Sequence, residues 1–181
     1  ASEHNRNNAR VPLIAFRAAI RDGAAEPART ALTEVLRTRA DLSVLVADDI
    51  VGLYETLGQP ATAVQQLALA QQASPTSLGL SRLVDASLKI EGRDAAIARL
   101  KRELTAQPSA RQASRLLELE SSRYAGDAGE TMKGIAQLLL RATERTPGFH
   151  CNHCGFRAPR YYWKCPGCNE WETFCATPLG Q

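Results

Sequence analysis

The first 147 residues contain no cysteine and only three aromatic residues, and the whole chain has a single methionine. Without cysteine, this long segment can form neither a disulfide framework nor a thiolate metal site. No segment approaches the ~18 consecutive apolar residues of a membrane-spanning helix. The charge is nearly balanced, with 22 basic and 19 acidic residues. We therefore expect a soluble chain, with no strong attraction to nucleic acid or to an anionic membrane.

The residues that are scarce at the start are concentrated at the end of the chain. All five cysteines lie between Cys151 and Cys175, and seven of the ten aromatic residues lie between Phe149 and Phe174. The Pro147-Gly148 pair, which breaks regular structure, comes directly before this segment. This shift in composition predicts two domains, residues 1–147 and residues 148–181.

Glycines recur through the first domain at nearly constant spacing. Gly23, Gly58, Gly92 and Gly126 are separated by 35, 34 and 34 residues. A period near 34 residues is typical of tetratricopeptide units, each of which is a helix–turn–helix. We predict an all-α fold for this domain, a tetratricopeptide-like helical solenoid. The alternative is a plain bundle of amphipathic helices whose glycines are in register by chance.

No motif of the helical segment predicts catalysis. A Gly-rich phosphate loop, a nucleophile elbow and a zinc-protease helix are all missing from the sequence. Asp48 and Asp49 are adjacent, but neighbouring helical residues point about 100° apart, so their carboxylates cannot share one site. We therefore predict a binding scaffold with no catalytic residues rather than an enzyme.

Two cysteine pairs give the strongest signal in the sequence. Cys151 and Cys154 form one C-x-x-C pair, Cys165 and Cys168 form the other, and ten residues separate the pairs. Two such turns supply the four sulfur ligands of a tetrahedral zinc or iron ion. We predict that these four cysteines bind one metal ion, with zinc and iron equally compatible. The last 34 residues are thus expected to form a small rubredoxin-like or zinc-ribbon metal domain.

Other chemistry is possible for the same cysteines. The competing interpretation is two disulfides or a redox-active C-x-x-C, although neither secretion nor a thioredoxin-like βαβ pattern is indicated. His150 or His153 could replace one thiolate ligand. Cys175 is expected to be a spare thiol.

The combination of helical repeats and ribbon resembles the lipopolysaccharide assembly protein B family (also called YciM) of Gram-negative bacteria. The resemblance is carried by Cys-x-x-Cys-Gly-Phe at 151–156, by Tyr-Trp-Lys-Cys-Pro-x-Cys at 162–168 and by Trp171. The helical part matches only in period and order. Family members begin with a transmembrane helix and have more repeats, so this chain looks like the C-terminal part of a longer protein or a shortened relative.

The resemblance implies a regulator at the cytoplasmic face of the bacterial inner membrane. Such a protein promotes proteolysis, by the membrane protease FtsH, of the deacetylase that commits sugar nucleotide to lipid A. The resemblance also implies that the four cysteines are metal ligands and that the metal is iron. It assigns no partner-binding residue, and it implies a membrane anchor only in the longer parent protein.

Two other functions remain open for the ribbon. Rubredoxins use similar cysteine pairs around iron, so an electron carrier is possible, although a carrier needs no helical solenoid. A nucleic-acid-binding ribbon is disfavoured, because residues 148–181 contain only three basic and two acidic residues.

The ribbon is too small to bury all of its aromatic rings. We therefore expect several of Tyr161, Tyr162, Trp163 and Trp171 to pack against the helical repeats. The connection at Pro147-Gly148 is short, which favours a position near the final helix and the leucines at 138–140.

Overall fold

A computed structural model describes residues 9–143 and 147–179. The described chain contains eight α-helices followed by three short strands, in agreement with the predicted all-α fold and its small C-terminal ribbon. The helices are α1 (Arg10–Arg21), α2 (Ala25–Thr38), α3 (Ala47–Thr56), α4 (Pro60–Ala73), α5 (Ser77–Ile90), α6 (Arg93–Ala106), α7 (Ala110–Ser121) and α8 (Asp127–Thr143). A 3₁₀ helix, Ala40–Leu45, lies between α2 and α3.

The helices form consecutive pairs, and each of the four repeating glycines lies in the turn within one pair. Their φ angles are 69°, 69°, 92° and 69° for Gly23, Gly58, Gly92 and Gly126, a left-handed conformation that costs glycine no steric strain. Ala63, five residues after Gly58, is fully buried. A small residue at this position allows the two helices of a pair to approach closely. The glycine period therefore corresponds to the spacing of the helix pairs.

Successive helix pairs are joined by a shared apolar core and by ion pairs. The core contains Phe16, Leu32, Ile50, Leu80 and Leu100, all of which are buried. Ion pairs then bridge the first helices of neighbouring pairs. They are Arg17–Asp49, Arg82–Asp48, Lys89–Glu55 and Arg115–Asp85. Because these ion pairs are largely exposed, they align neighbouring helix pairs more than they stabilise the fold.

The ribbon is a three-stranded antiparallel sheet in the order β2-β1-β3. The strands are β1 (Phe149–Cys151), β2 (Arg157–Ala158) and β3 (Phe174–Ala176). Phe149 pairs with Ala158 on one side and with Ala176 on the other. Strand β1, which carries the first cysteine of the first pair, therefore lies directly beside β3.

The ribbon does not lie against the leucines of α8, so that expected position is wrong. Leu138 and Leu140 are exposed, whereas Val44 of the 3₁₀ helix is buried in the same apolar cluster as Phe149. The reason is the path of the chain. Arg111, at the start of α7, donates a hydrogen bond to the Thr143 carbonyl, so the end of α8 lies beside the start of α7. From there the chain enters the ribbon next to the start of α5.

Within the described ranges, every helix is too short or too polar to span a lipid bilayer.

Candidate metal centre

The first cysteine turn has the geometry of a metal knuckle. The Gly155 N–H donates to the Cys151 carbonyl at 2.9 Å, and the Cys151 N–H donates to the Phe156 carbonyl at 2.8 Å. Gly155 has a φ of 75°, which a residue with a Cβ adopts only at a cost. The turn closes on itself in this way and directs both cysteine side chains to the same side.

The second turn repeats this geometry without a glycine in the left-handed position. The Asn169 N–H donates to the Cys165 carbonyl at 2.9 Å, and the Cys165 N–H donates to the Glu170 carbonyl at 2.8 Å. Asn169 has a φ of 63°, and asparagine is the residue after glycine that tolerates this conformation best. The Gly167 N–H also donates to the Cys165 sulfur at 3.3 Å.

The two turns bring four sulfur atoms into one cluster. The Sγ atoms of Cys151, Cys154, Cys165 and Cys168 all lie within 4.8 Å of one another. The Cys154–Cys165 distance is 3.6 Å and the Cys151–Cys168 distance is 3.8 Å. Tetrahedral zinc with Zn–S bonds of about 2.3 Å requires sulfur separations of roughly 3.8 Å. The donor set and its spacing therefore fit one tetrahedral ion, and the distances are far too long for a disulfide at about 2.05 Å.

The pKa values of the clustered thiols are shifted in opposite directions. Although burial opposes it, hydrogen bonds with Thr173 and with the backbone of Cys154 and His153 lower the pKa of Cys151 to about 6. Although a backbone hydrogen bond at Glu170 opposes it, burial and the neighbouring sulfurs raise the pKa of Cys168 to about 12. Four thiolates at this spacing repel one another, so a positive ion is needed to ionise the full set.

The other candidate ligands of the segment are not part of the cluster. Among the described residues, only the four cysteines form the group of candidate ligands. Neither His150 nor His153 therefore replaces a cysteine in it. Cys175 is also separate, as its sulfur accepts a hydrogen bond from the Asn152 side chain at 2.7 Å. Burial raises the pKa of the Cys175 thiol, which makes it less reactive toward metals and oxidants.

A buried ion pair joins the ribbon to the helices, and no sequence motif predicted it. Arg39 donates two hydrogen bonds to the Asp41 carboxylate, both at 2.8 Å, and a third to the Phe174 carbonyl at 2.7 Å. The Asp41 carboxylate accepts in turn from the Ala176 N–H at 3.4 Å. The side chains of Arg39 and Asp41 are only 18% and 10% exposed. We call this ion pair the Arg39–Asp41 clamp, because it binds one edge of β3 at two points, Phe174 and Ala176.

Two of the four named aromatic rings pack against the helical core, as predicted. Tyr161 and Trp163 contact the large apolar cluster of the helices, and their ring centroids are 4.9 Å apart. Tyr162 instead packs on Phe174 inside the ribbon, at 5.6 Å. Trp171 is 55% exposed, with the Arg10 guanidinium of α1 located 5.4 Å from its ring centre. The ribbon thus contacts α1 as well as the 3₁₀ helix.

Backbone hydrogen bonds complete the contact between the two parts of the chain. The Leu179 N–H donates to the Pro75 carbonyl at 3.1 Å, and the Ser77 N–H donates to the Thr177 carbonyl at 3.2 Å. The Thr177 N–H donates to the Gly148 carbonyl at 2.8 Å, and Gly148 packs closely on Leu78 of α5. The end of the chain is therefore paired with both the linker and the start of α5.

Fold and site together define a class of protein: an array of helix pairs that carries a docked four-cysteine metal ribbon. The profile of the rubredoxin metal binding domain matches residues 149–175. Over 93% of its length, the chain is 25% identical to lipopolysaccharide assembly protein B of Escherichia coli (strain K12). The protein of the same name from Haemophilus influenzae is 27% identical over 91% of the chain. These matches confirm the resemblance to the lipopolysaccharide assembly protein B family and are consistent with its C-terminal part.

The matches cover different shares of this chain and of its relatives. The chain spans 44% of the length of the Escherichia coli relative, which is therefore more than twice as long. A second similarity covers only a short segment of the chain. DNA repair protein RadA of Helicobacter pylori is 48% identical over 31 residues, which is 17% of this chain and 7% of that protein.

Proposed function

We propose that this protein is a regulatory adaptor of lipopolysaccharide biosynthesis. It binds partner proteins through its helical repeats and promotes FtsH-dependent proteolysis of the deacetylase of the lipid A pathway. The main support is its similarity to lipopolysaccharide assembly protein B across both the helices and the ribbon. These relatives are named as assembly proteins rather than as enzymes, which fits a non-catalytic role.

The proposal assigns separate roles to the two parts of the chain. Residues 1–147 are the tetratricopeptide-like binding domain, and residues 148–181 are the metal domain. Cys151, Cys154, Cys165 and Cys168 each supply one thiolate to a single iron or zinc ion. The ion keeps the ribbon folded, since a segment of this size has too little core to fold without a staple. The longer parent protein is anchored in the inner membrane, and this part lies on its cytoplasmic side.

A groove on the helical part offers a binding surface for a partner. It has a volume of about 300 Å³, lies between α5, α7 and α8, and is lined by Asp85, Arg115 and Glu118 together with Leu140. A second depression of about 230 Å³ continues along α8 and shares Glu118 and Leu140 with the first. Mixed charges beside Leu140 in an open groove suit a peptide segment better than a small metabolite.

The experiment is affinity capture from a Gram-negative membrane fraction with the purified, metal-loaded chain as bait. FtsH and the deacetylase are scored by immunoblot. We expect both with the wild-type chain and with the Cys175→Ser variant, and neither with Cys165→Ser, which lacks one proposed ligand. If the wild-type chain recovers neither protein, the proposed function is wrong.

A nucleic-acid-binding ribbon is the second candidate, because a short segment of the chain is similar to part of a DNA repair protein. Several features of the ribbon disfavour it. Tyr161 and Trp163 pack on the helices, and the Arg160 guanidinium lies 4.9 Å from the ring centre of Tyr162. Stacking of bases requires free rings in a positively charged groove. A salt-dependent shift of the chain on single-stranded DNA would favour this candidate over the adaptor.

A further inference from the structure

Among the described residues, α8 is the last helix and packs mainly against α7. Ser114 of α7 donates a hydrogen bond to the Ala136 carbonyl at 2.8 Å, which marks the packed side. The opposite side carries a row of exposed residues, and Leu138 in its centre is 66% exposed. We call this row the α8 seam: Ala128, Thr131, Ile135, Leu138 and Ala142, all of which are exposed.

The α8 seam has the spacing of a coiled-coil interface. Its residues follow one another at intervals of three, four, three and four positions, which is the a/d pattern of a heptad repeat. Such a stripe is the narrow apolar surface by which one helix packs along another. We propose that the α8 seam pairs antiparallel, about a two-fold axis, with the α8 seam of a second copy of this chain.

The sizes of the seam residues favour the antiparallel arrangement. In an antiparallel pair, an a position of one helix faces a d position of the other. Ala128 then faces Leu138 of the second copy, and Thr131 faces Ile135. Each layer combines a small residue with a large one, so the layers fill space evenly. Gly134 lies beside the seam, and the space around its Cα is open, which allows the two backbones to approach.

The charges beside the seam favour the same arrangement. Asp127 and Arg141 flank the seam on one side, in the first and last turns of α8. In the antiparallel register above, Asp127 of each copy lies next to Arg141 of the other, which gives two ion pairs across the axis. In a parallel pair, Asp127 and Arg141 would instead lie roughly 21 Å apart along the axis and could not form an ion pair. The Glu130–Lys133 ion pair within α8 lies away from the seam and is left intact.

The expected dimer is weak and compatible with binding of a partner protein. One pair of 17-residue helices buries less than the about 1,200 Å² at which stable interfaces begin. Dimerisation should therefore depend on protein concentration. The groove residues Lys133, Ala136 and Leu140 lie on the opposite side of α8, so the proposed partner site stays open in the dimer.

Sedimentation velocity of the metal-loaded chain over a wide concentration range tests the proposal. We expect a reversible monomer–dimer equilibrium. Leu138→Glu should weaken it about a hundredfold, because one buried leucine per copy is lost and each is worth about tenfold. Leu69→Glu is the matched control, since Leu69 on α4 is similarly exposed, and it should leave the equilibrium unchanged.

A charge reversal tests the orientation. Arg141→Asp should weaken dimerisation several-fold, because each copy then places two acidic residues together. The double variant Asp127→Arg/Arg141→Asp should restore it. A wild-type chain that stays monomeric at every concentration would overturn the proposal and leave the seam to a partner of another sequence. Equal effects of Leu138→Glu and Leu69→Glu, or a double variant no better than Arg141→Asp, would overturn it as well. Circular dichroism of each variant checks that the helices remain folded.

Discussion

Replacing Arg39 by methionine should destabilise the docked ribbon strongly. Arg39 donates two hydrogen bonds to Asp41 and one to the Phe174 carbonyl. Its loss leaves the Asp41 carboxylate, which is only 10% exposed, without its counter-charge. Removal of one partner of a buried ion pair costs about 3–5 kcal/mol. Because the clamp is not completely buried, we expect about 3 kcal/mol in the free energy of unfolding of Arg39→Met.

Urea denaturation of the zinc-loaded chain measures this effect. With a slope of about 2 kcal/mol per molar urea, the midpoint should fall by about 1.5 M. Arg37→Met is the matched control, because Arg37 pairs with Glu34 on the surface and should contribute nothing measurable. The double variant Arg39→Met/Asp41→Leu should regain much of the loss, since no isolated charge remains buried. Equal midpoints for the Arg39 and Arg37 variants would refute this account of the clamp.

Two further predictions concern the metal ligands and the helix turns. Cys165→Ser should abolish tight metal binding because it removes one of four clustered sulfurs, whereas Cys175→Ser should retain one ion per chain in elemental analysis. Equal loss in both variants would show that the ligand assignment is wrong. Gly58→Ala should destabilise the helical part by about 1 kcal/mol, because it forces a Cβ into a left-handed turn. Gly52 lies inside α3 with open space around it, so Gly52→Ala should instead stabilise the helical part by about 0.5–1 kcal/mol. Thermal melts in which both variants shift the melting temperature in the same direction would contradict this.

The sequence predicted the features that depend on local patterns. The regular glycine spacing corresponds to the helix pairs because each glycine takes up the left-handed turn that a tight helical hairpin needs. The cysteine clusters were predictable for the same reason. A knuckle is closed by hydrogen bonds within five residues, such as those of Cys151 with Gly155 and Phe156.

Contacts between distant parts of the chain could not be predicted in this way. The clamp joins Arg39 to Phe174, 135 positions further along the chain, and nothing in the local sequence marks either residue. The same applies to the 3₁₀ helix, which replaces a regular turn between α2 and α3 and provides Val44 for the ribbon core. The position of the ribbon followed from the return of α8 toward the start of α7 rather than from the length of the linker.

The metal-loaded ribbon should brace the helical array through these contacts, and hydrogen exchange with and without metal tests this most directly. Stripping the ion should lower amide protection in the 3₁₀ helix, residues 40–45, and at residues 76–80, where the ribbon contacts the helices. Protection in α6, which contributes no residue to the ribbon's contacts described above, should change much less. Unchanged protection at residues 40–45 and 76–80 after complete removal of the metal would contradict the claim and would show that the ribbon and the array are independent of each other.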